Sequence, residues 1–440
     1  MLRDFTIKNF KSYRNATLPL ASLTVMIGAN ASGKSNAIEG LRFASWLAQG
    51  QKLSSIQYSV NSGDQIVRGT TKSLPWNNEV EFGFSCRVSG SSQSSWDISI
   101  EGRDDGLHIV KETLETSYES VPYYDLDQPS VGRGTDVGVA YNNFARGGKK
   151  PHVTCIDQMA IFSQLTSPAT FGANHKKSRT KIPRATRQLE TSLSNILVLD
   201  PNPQLMRDYA FPSDDKLRGD GSNLSAVLYS LCGKPAPGAE IKNSIEGNAA
   251  STLLNLIQSL PEQNIEDIKF IHEPRGGVMV SLVESFGQKQ REFDASLLSD
   301  GTLRVLSVAA ALLSSPEGTM VVIEEIDNGV HPSRAKHLLQ SIRSIAETRN
   351  LSVLMSTHNP ALLDALPDES IKDVVFCYRS LVDGSSQIMR LSDSVSFPEM
   401  IAQDTLGGLL TSGVLDRYAK HKSTPHHKKT VALEWLKSVE

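Results

Sequence analysis

Eight residues near the start of the chain, Gly28-Ala29-Asn30-Ala31-Ser32-Gly33-Lys34-Ser35, follow the pattern G-x-x-x-x-G-K-S. That spacing suits phosphate chemistry. The glycines let a loop turn its N–H groups toward an anion, the lysine adds a point cation for the outer phosphates, and the serine hydroxyl meets Mg²⁺. The loop is expected to hold ATP, with Gly28, Asn30, Ser32, Gly33, Lys34, Ser35 and the adjoining Asn36 as its contacts.

A second set of reactive residues is bunched near the other end. Four apolar residues, Met320 to Ile323, run into Glu324 and Glu325, and His358 follows one helix and one strand later. Paired acids after a strand are commonly just a polar strand end, and a loop histidine is commonly bonded to backbone. With Lys34 upstream the set has a sharper use. Glu324 would serve the metal, Glu325 would polarise water as general base for in-line attack on the γ-phosphate, and His358 would hold that phosphate and the water. Leu298-Ser299-Asp300-Gly301 opens a helix. Ordinarily that is only an N-cap, but N–H groups at Ser299 and Gly301 could also bind the γ-phosphate of a nucleotide held by a second copy. More than half of the 440 residues separate Lys34 from Ser299, so the site must be assembled from both ends.

The elements that would position these groups are legible. Phe5 to Phe10, Leu18 to Leu20 and Leu23 to Ile27 read as short strands, the last feeding the glycine-rich loop. Ala37, Ile38, Leu41, Ala44 and Leu47 recur at helical spacing behind it. Glu79 to Cys86, Trp96 to Glu101 and Leu107 to Thr113 read as antiparallel strands, and residues 128–152, rich in Gly, Asn and charge, as a long surface loop. Helical patterns return at Leu224 to Leu231 and Leu253 to Leu260. Leu303 to Leu313 and Leu338 to Ala346 are helices, and Met320 to Ile323 and Leu351 to Met355 are buried strands. Asn359-Pro360 supplies a cap and an N1 proline for another helix. Strand–helix–strand order implies parallel strands with their loops at one edge, where a ligand sits.

Composition sets the class. A chain that is 39% hydrophobic and 21% charged can bury the core of one large or two to three ordinary domains. No apolar run approaches the roughly 20 residues that cross a bilayer, so no membrane partner and a cytoplasmic location are expected. The four cysteines lack metal or disulfide spacing and read as small buried residues. A net charge of -3 leaves nucleic-acid contact to local patches: Lys176, Lys177, Arg179, Lys181, Arg184 and Arg187, and a tail from Arg417 to Lys429 expected to be disordered.

Taken together, the four ordered motifs resemble an ABC-type ATPase head of the RecF and SMC-like branch, and Ile7-Lys-Asn-Phe10-Lys11-Ser12-Tyr13 is similar to that branch's first strand. The resemblance implies an α/β fold: a P-loop head with a parallel core sheet, an antiparallel β subdomain and a helical inserted region, without a long coiled coil. It makes Gly28–Ser35 the Walker A loop, Leu298–Gly301 the signature, Glu324 and Glu325 the end of Walker B, Ile326–His331 the D-loop and His358 the switch histidine. Gln164 is the candidate Q-loop glutamine and third metal contact after Ser35 and Glu324. Two residues depart from the pattern: Glu324 stands where aspartate is usual, and Asp300 where many members have glycine, so its carboxylate must turn away from the phosphate.

The implied division is an N-terminal lobe over 1–127, an inserted region over 128–290 and a C-terminal lobe over 291–440. Leu199-Asp-Pro201, Asp220 to Leu224 and Leu406 to Gly413 further resemble stand-alone bacterial ATPases related to the OLD family, which serve anti-phage systems of the Septu or PARIS kind. No Asp-x-Asp and glutamate set follows His358, so no nuclease domain is expected. The implied activity is Mg²⁺-dependent ATP hydrolysis in a homodimer or higher oligomer that controls a separately encoded effector such as a nuclease. The alternatives are an ATP-bound scaffold with little turnover and a RecF-like repair factor contacting nucleic acid.

Overall fold

The computed structural model describes residues 1–56, 66–89, 93–234, 249–258, 264–287, 289–326 and 332–420. Its strands are β1 (Leu2–Phe10), β2 (Tyr13–Pro19), β3 (Leu23–Ile27), β4 (Glu81–Val88), β5 (Ser94–Arg103), β6 (Gly106–Thr116), β7 (Tyr124–Gln128), β8 (Asp136–Tyr141), β9 (His152–Ile156), β10 (Ile196–Leu199), β11 (Ile265–His272), β12 (Val278–Phe286), β13 (Lys289–Asp294), β14 (Met320–Ile323), β15 (Ser352–Ser356), β16 (Val374–Arg379) and β17 (Ser386–Arg390).

A six-stranded sheet in the order β10-β14-β15-β3-β16-β17 forms the centre; all but β17 are parallel. Every residue of β3, β14 and β15 is buried, including Thr24, Ser352 and Ser356, as expected of largely apolar strands in a sheet covered on both faces. Alternation divides them between two cores. Val25, Val321, Ile323, Val353 and Met355 pack with the helices Asp300–Ser314 and Pro332–Thr348 and the three-stranded sheet β11-β12-β13. Met26, Met320, Val322 and Leu354 face the other way, toward helix α1 (Lys34–Ala48), the helix Lys176–Ser194 and the antiparallel sheet.

That antiparallel sheet has eight strands, β2-β1-β4-β5-β6-β7-β8-β9. Phe5, Phe10, Phe82 and Phe84 from β1 and β4 gather with Phe43 of α1, so an aromatic cluster ties the sheet to the helix. The surface loop expected over 128–152 is corrected here. β8 lies inside it and β9 begins at its end, because Val137, Val139 and Tyr141 alternate inward and extend the sheet; most of the rest of the segment is loop. At the far end the buried Glu112 carboxylate accepts from Trp96 Nε1 (3.1 Å), Tyr124 OH (2.7 Å), Ile161 N (2.7 Å) and Phe162 N (3.0 Å).

The basic stretch is an amphipathic helix, Lys176–Ser194, which buries Ile182, Pro183, Leu189 and Leu193 and leaves Lys176, Lys177, Arg184 and Arg187 exposed. It is also the longest helix among the described residues, so no long coiled coil is present there. None of the described helices is long and apolar enough to cross a membrane. All four cysteines are free, and burial pushes the Cys377 thiol up to about 12. The tail expected to be disordered from Arg417 is corrected at its start: Arg417 to Lys420 end a helix, Val414–Lys420, that buries Leu415 and Ala419, and the rest of the tail lies outside the described residues.

Candidate nucleotide site

β3 delivers the chain to the glycine-rich loop at the middle of the sheet, and α1 leaves from it. Gly28 (φ 147°) and Gly33 (φ 115°) are both in backbone territory that side chains rarely adopt. A Cβ on Gly28 would overlap the Cys377 carbonyl oxygen, and one on Gly33 would overlap the Ser386 hydroxyl. The loop is thus pressed onto β16 and β17, with no room for other residues. Tyr13 OH donates to Gly33 O (3.1 Å), Arg379 Nε to Ala31 O (3.0 Å), and Asn36 Nδ2 to the Ser12 hydroxyl (2.8 Å), which also receives Ser386 Oγ (2.8 Å).

Lys34 Nζ lies back over the loop, donating to Gly28 O (2.6 Å) and Ala29 O (3.1 Å). The ammonium therefore sits across the mouth of the loop, at the positive end of the α1 dipole. Ser32 Oγ is buried with no hydrogen-bond partner. A buried hydroxyl left unpaired is unfavourable unless a ligand completes it, so a built anion cradle accounts for it.

Strand register brings the second set of residues to the same edge. Ile323 pairs with Met355, and Ser356 with Met26, so the ends of β14, β15 and β3 lie side by side. Glu324, Glu325 and His358 leave from those ends. Glu324 lies 3.7 Å from Arg42 of α1; burial chiefly, and Asp200 nearby, raise its carboxyl, while Arg42 lowers it. Glu325 is held at φ 48°, left-handed for a non-glycine residue, with its N–H on Ser356 Oγ (3.1 Å). Such a conformation costs about 1–3 kcal/mol and persists where the surroundings impose it. His358 is exposed at the edge, ahead of Asn359, whose side chain caps the helix Pro360–Asp364 by accepting from Ala361 N (3.0 Å).

Ser299 caps the helix Asp300–Ser314, its hydroxyl accepting from Thr302 N (3.1 Å), and Gly301 lies in the first turn. The Asp300 carboxylate is drawn aside by Arg207, whose Nη2 donates to it at 2.6 Å and to Leu298 O at 3.0 Å. The amide of Gln164 is committed to the turn after β9: Nε2 donates to Ile156 O (2.8 Å) and Met159 O (3.0 Å), and Oε1 accepts from Ile156 N (2.9 Å). A metal contact from Gln164 would require breaking that set. Of the expected D-loop, only Ile326 is among the described residues.

Sequence reasoning did not find Arg42, Arg207, Arg379 or Ser386, and gave Ser12 and Ser356 no role beyond their place in a motif. Each acts through a contact distant in the chain.

Among the described residues no group of three or more His, Cys, Asp and Glu gathers to hold a metal. A hydroxyl at Ser35 and a carboxylate at Glu324 still fit Mg²⁺, which takes one or two protein oxygens plus phosphate and water at nucleotide sites.

A largely parallel sheet with a phosphate loop after its central strand β3, and two acids at the end of β14 two strands away, defines a P-loop ATPase fold. Residues 23–364 match the family described as "AAA domain, putative AbiEii toxin, Type IV TA system", and the chain belongs to that family. No curated protein matches it. Among solved structures it is similar to an Smc head bound to the C-winged helix domain of ScpA, at 13% identity and TM-score 0.45, covering 88% of this chain and 96% of that one. The SMC head domain from Thermotoga maritima aligns at 14% identity and TM-score 0.40, covering 88% and 98%. The Smc head from Pyrococcus furiosus with an extended coiled coil, bound to the C-terminal domain of ScpA, aligns at 12% identity and TM-score 0.44, covering 91% and 99%. Likenesses this distant carry no functional weight.

Proposed function

We propose that this chain hydrolyses ATP with Mg²⁺, that two copies close around two nucleotides, and that closure controls a separately encoded effector in anti-phage defence. The observation that carries the reading is the convergence of the Lys34 loop, Glu324, Glu325 and His358 on one edge of adjacent strands. Lys34 and the loop amides bind the phosphates. Glu325, fixed by its own backbone and by Ser356, takes the proton of the attacking water, and His358 orients the γ-phosphate. Mg²⁺, held by Ser35 and Glu324, would neutralise charge on the phosphate oxygens.

In the dimer, the Ser299 cap and the N–H of Gly301 would complete the partner's site, which the Arg207 hold on Asp300 supports. The family description, with its toxin and TA system, supports a second component. The three lobes 1–127, 128–290 and 291–440 are proposed as working units, although the antiparallel sheet runs through the first boundary.

Steady-state phosphate release tests the chemistry. The wild type should exceed buffer, and Glu325→Gln should bind ATP but release almost none. Release by Glu325→Gln at the wild-type rate would remove Glu325 as the base, and wild-type release no faster than buffer would favour the ATP-bound scaffold.

One observation favours a second reading, a RecF-like factor on DNA: the helix Lys176–Ser194 presents Lys176, Lys177, Arg184 and Arg187 to solvent.

A further inference from the structure

Glu324 has two competing destinations. Ser35 and Arg42 are seven residues apart on α1, two turns and about 10 Å along one face, and the end of β14 lies against that face. Above, toward Ser35, is the position the metal would take. Below, the Arg42 guanidinium is 3.7 Å from the carboxylate, with side chains 28% and 19% exposed. Glu39, between them on the helix, is paired with both Lys11 and Arg68, and the opposite charges of Glu39 and Arg68 both act on Glu324 as well. Asp200, just past the end of β10 beside β14, adds like charge that favours keeping a cation here.

The usual aspartate would be one methylene shorter, about 1.5 Å. At 3.7 Å the Glu324 carboxylate only just reaches Arg42, and a shorter side chain would move it away. We propose that Arg42 is a positioning residue that holds the Glu324 carboxylate down α1, away from Ser35, so that a divalent cation must displace it to recruit Glu324. This rests on the reading of Ser35 and Glu324 as metal contacts. The glutamate–arginine pair makes metal entry a two-position switch.

Binding of Mn²⁺ to the full chain with a non-hydrolysable ATP analogue, followed by electron paramagnetic resonance, tests it without turnover. Arg42→Gln and Arg42→Ala should each tighten Mn²⁺ by roughly three- to fivefold, the scale of a partly screened pair. In a Glu324→Asp background, where the carboxylate falls short of Arg42, the same changes should shift it by less than about 1.5-fold. Unchanged or weakened binding in the Glu324 background overturns the proposal. So does equal tightening in both backgrounds, which would be a general charge effect. A wild-type chain that binds the analogue but no Mn²⁺ overturns the metal reading together with the proposal.

Discussion

The backbone N–H of Glu325 donates to the hydroxyl of Ser356 at 3.1 Å, tying the strand end that carries the acid pair to the strand that leads to His358. Because Glu325 is left-handed at φ 48°, this bond helps impose a backbone that the residue would not choose alone. Ser356→Ala should lower phosphate release roughly 10- to 100-fold, since small misplacements of a catalytic group are costly. Nucleotide affinity should change little. Equilibrium binding measured beside steady-state release checks the split; a loss in both would point to general collapse of the edge.

Arg207 and Asp300 give a second prediction. Asp300 is largely exposed, so the pair contributes less than about 1 kcal/mol to stability. Its value would lie in steering a carboxylate away from an incoming phosphate. Arg207→Ala should leave the melting temperature nearly unchanged and lower ATP hydrolysis about threefold or more. Asp300→Gly added to it should restore the rate. A double variant no faster than Arg207→Ala would contradict the steering role.

Much of this was legible in the sequence, and the reason is local. Val25, Val322 and Val353 sit in short, mostly apolar runs, and Gly28 and Gly33 of the phosphate loop occupy positions where the structure admits no Cβ. The Asn359 cap and the helix behind Ser299 also followed from neighbours within four residues. β8 and β9 were hidden because they lie among Gly, Asn and charge, with every second residue of β8, such as Val137 and Val139, buried and only Cys155 buried in β9. The sheet β11-β12-β13 and the helix around Pro183 were likewise not read, the helix because a proline and a dense basic run mask its apolar face. Arg42, Arg207 and Ser356 meet their partners only after folding.

Glu112 makes a pH prediction. Burial raises its carboxyl above the ordinary glutamate value, and bonds from Ile161, Tyr124, Phe162 and Trp96 oppose that rise. The folded state therefore keeps the proton longer than the unfolded one. This residue's contribution is full below the unfolded value and declines as pH rises from there through the folded value. Glu112→Gln should flatten that decline in urea unfolding across the acid range. It should also destabilise by about 1–3 kcal/mol at neutral pH, because an NH₂ would face one of the four donors. An unchanged pH profile would contradict the burial effect.

The exposed basic helix is tested by salt. If it contacts duplex DNA, binding should fall steeply with ionic strength, and Lys176→Glu with Lys177→Glu and Arg184→Glu should flatten that slope. Identical slopes in wild type and variant would leave this face as solvated surface.

In the proposed mechanism the Lys34 loop and Glu325 form half of a triphosphate pocket completed by a second copy. Sedimentation of Glu325→Gln with Mg²⁺ and ATP tests it most directly. A nucleotide-dependent dimer holding two unhydrolysed ATP molecules should form, and should be lost in Lys34→Ala. A Glu325→Gln chain that binds ATP stoichiometrically and stays monomeric at all accessible concentrations would contradict it.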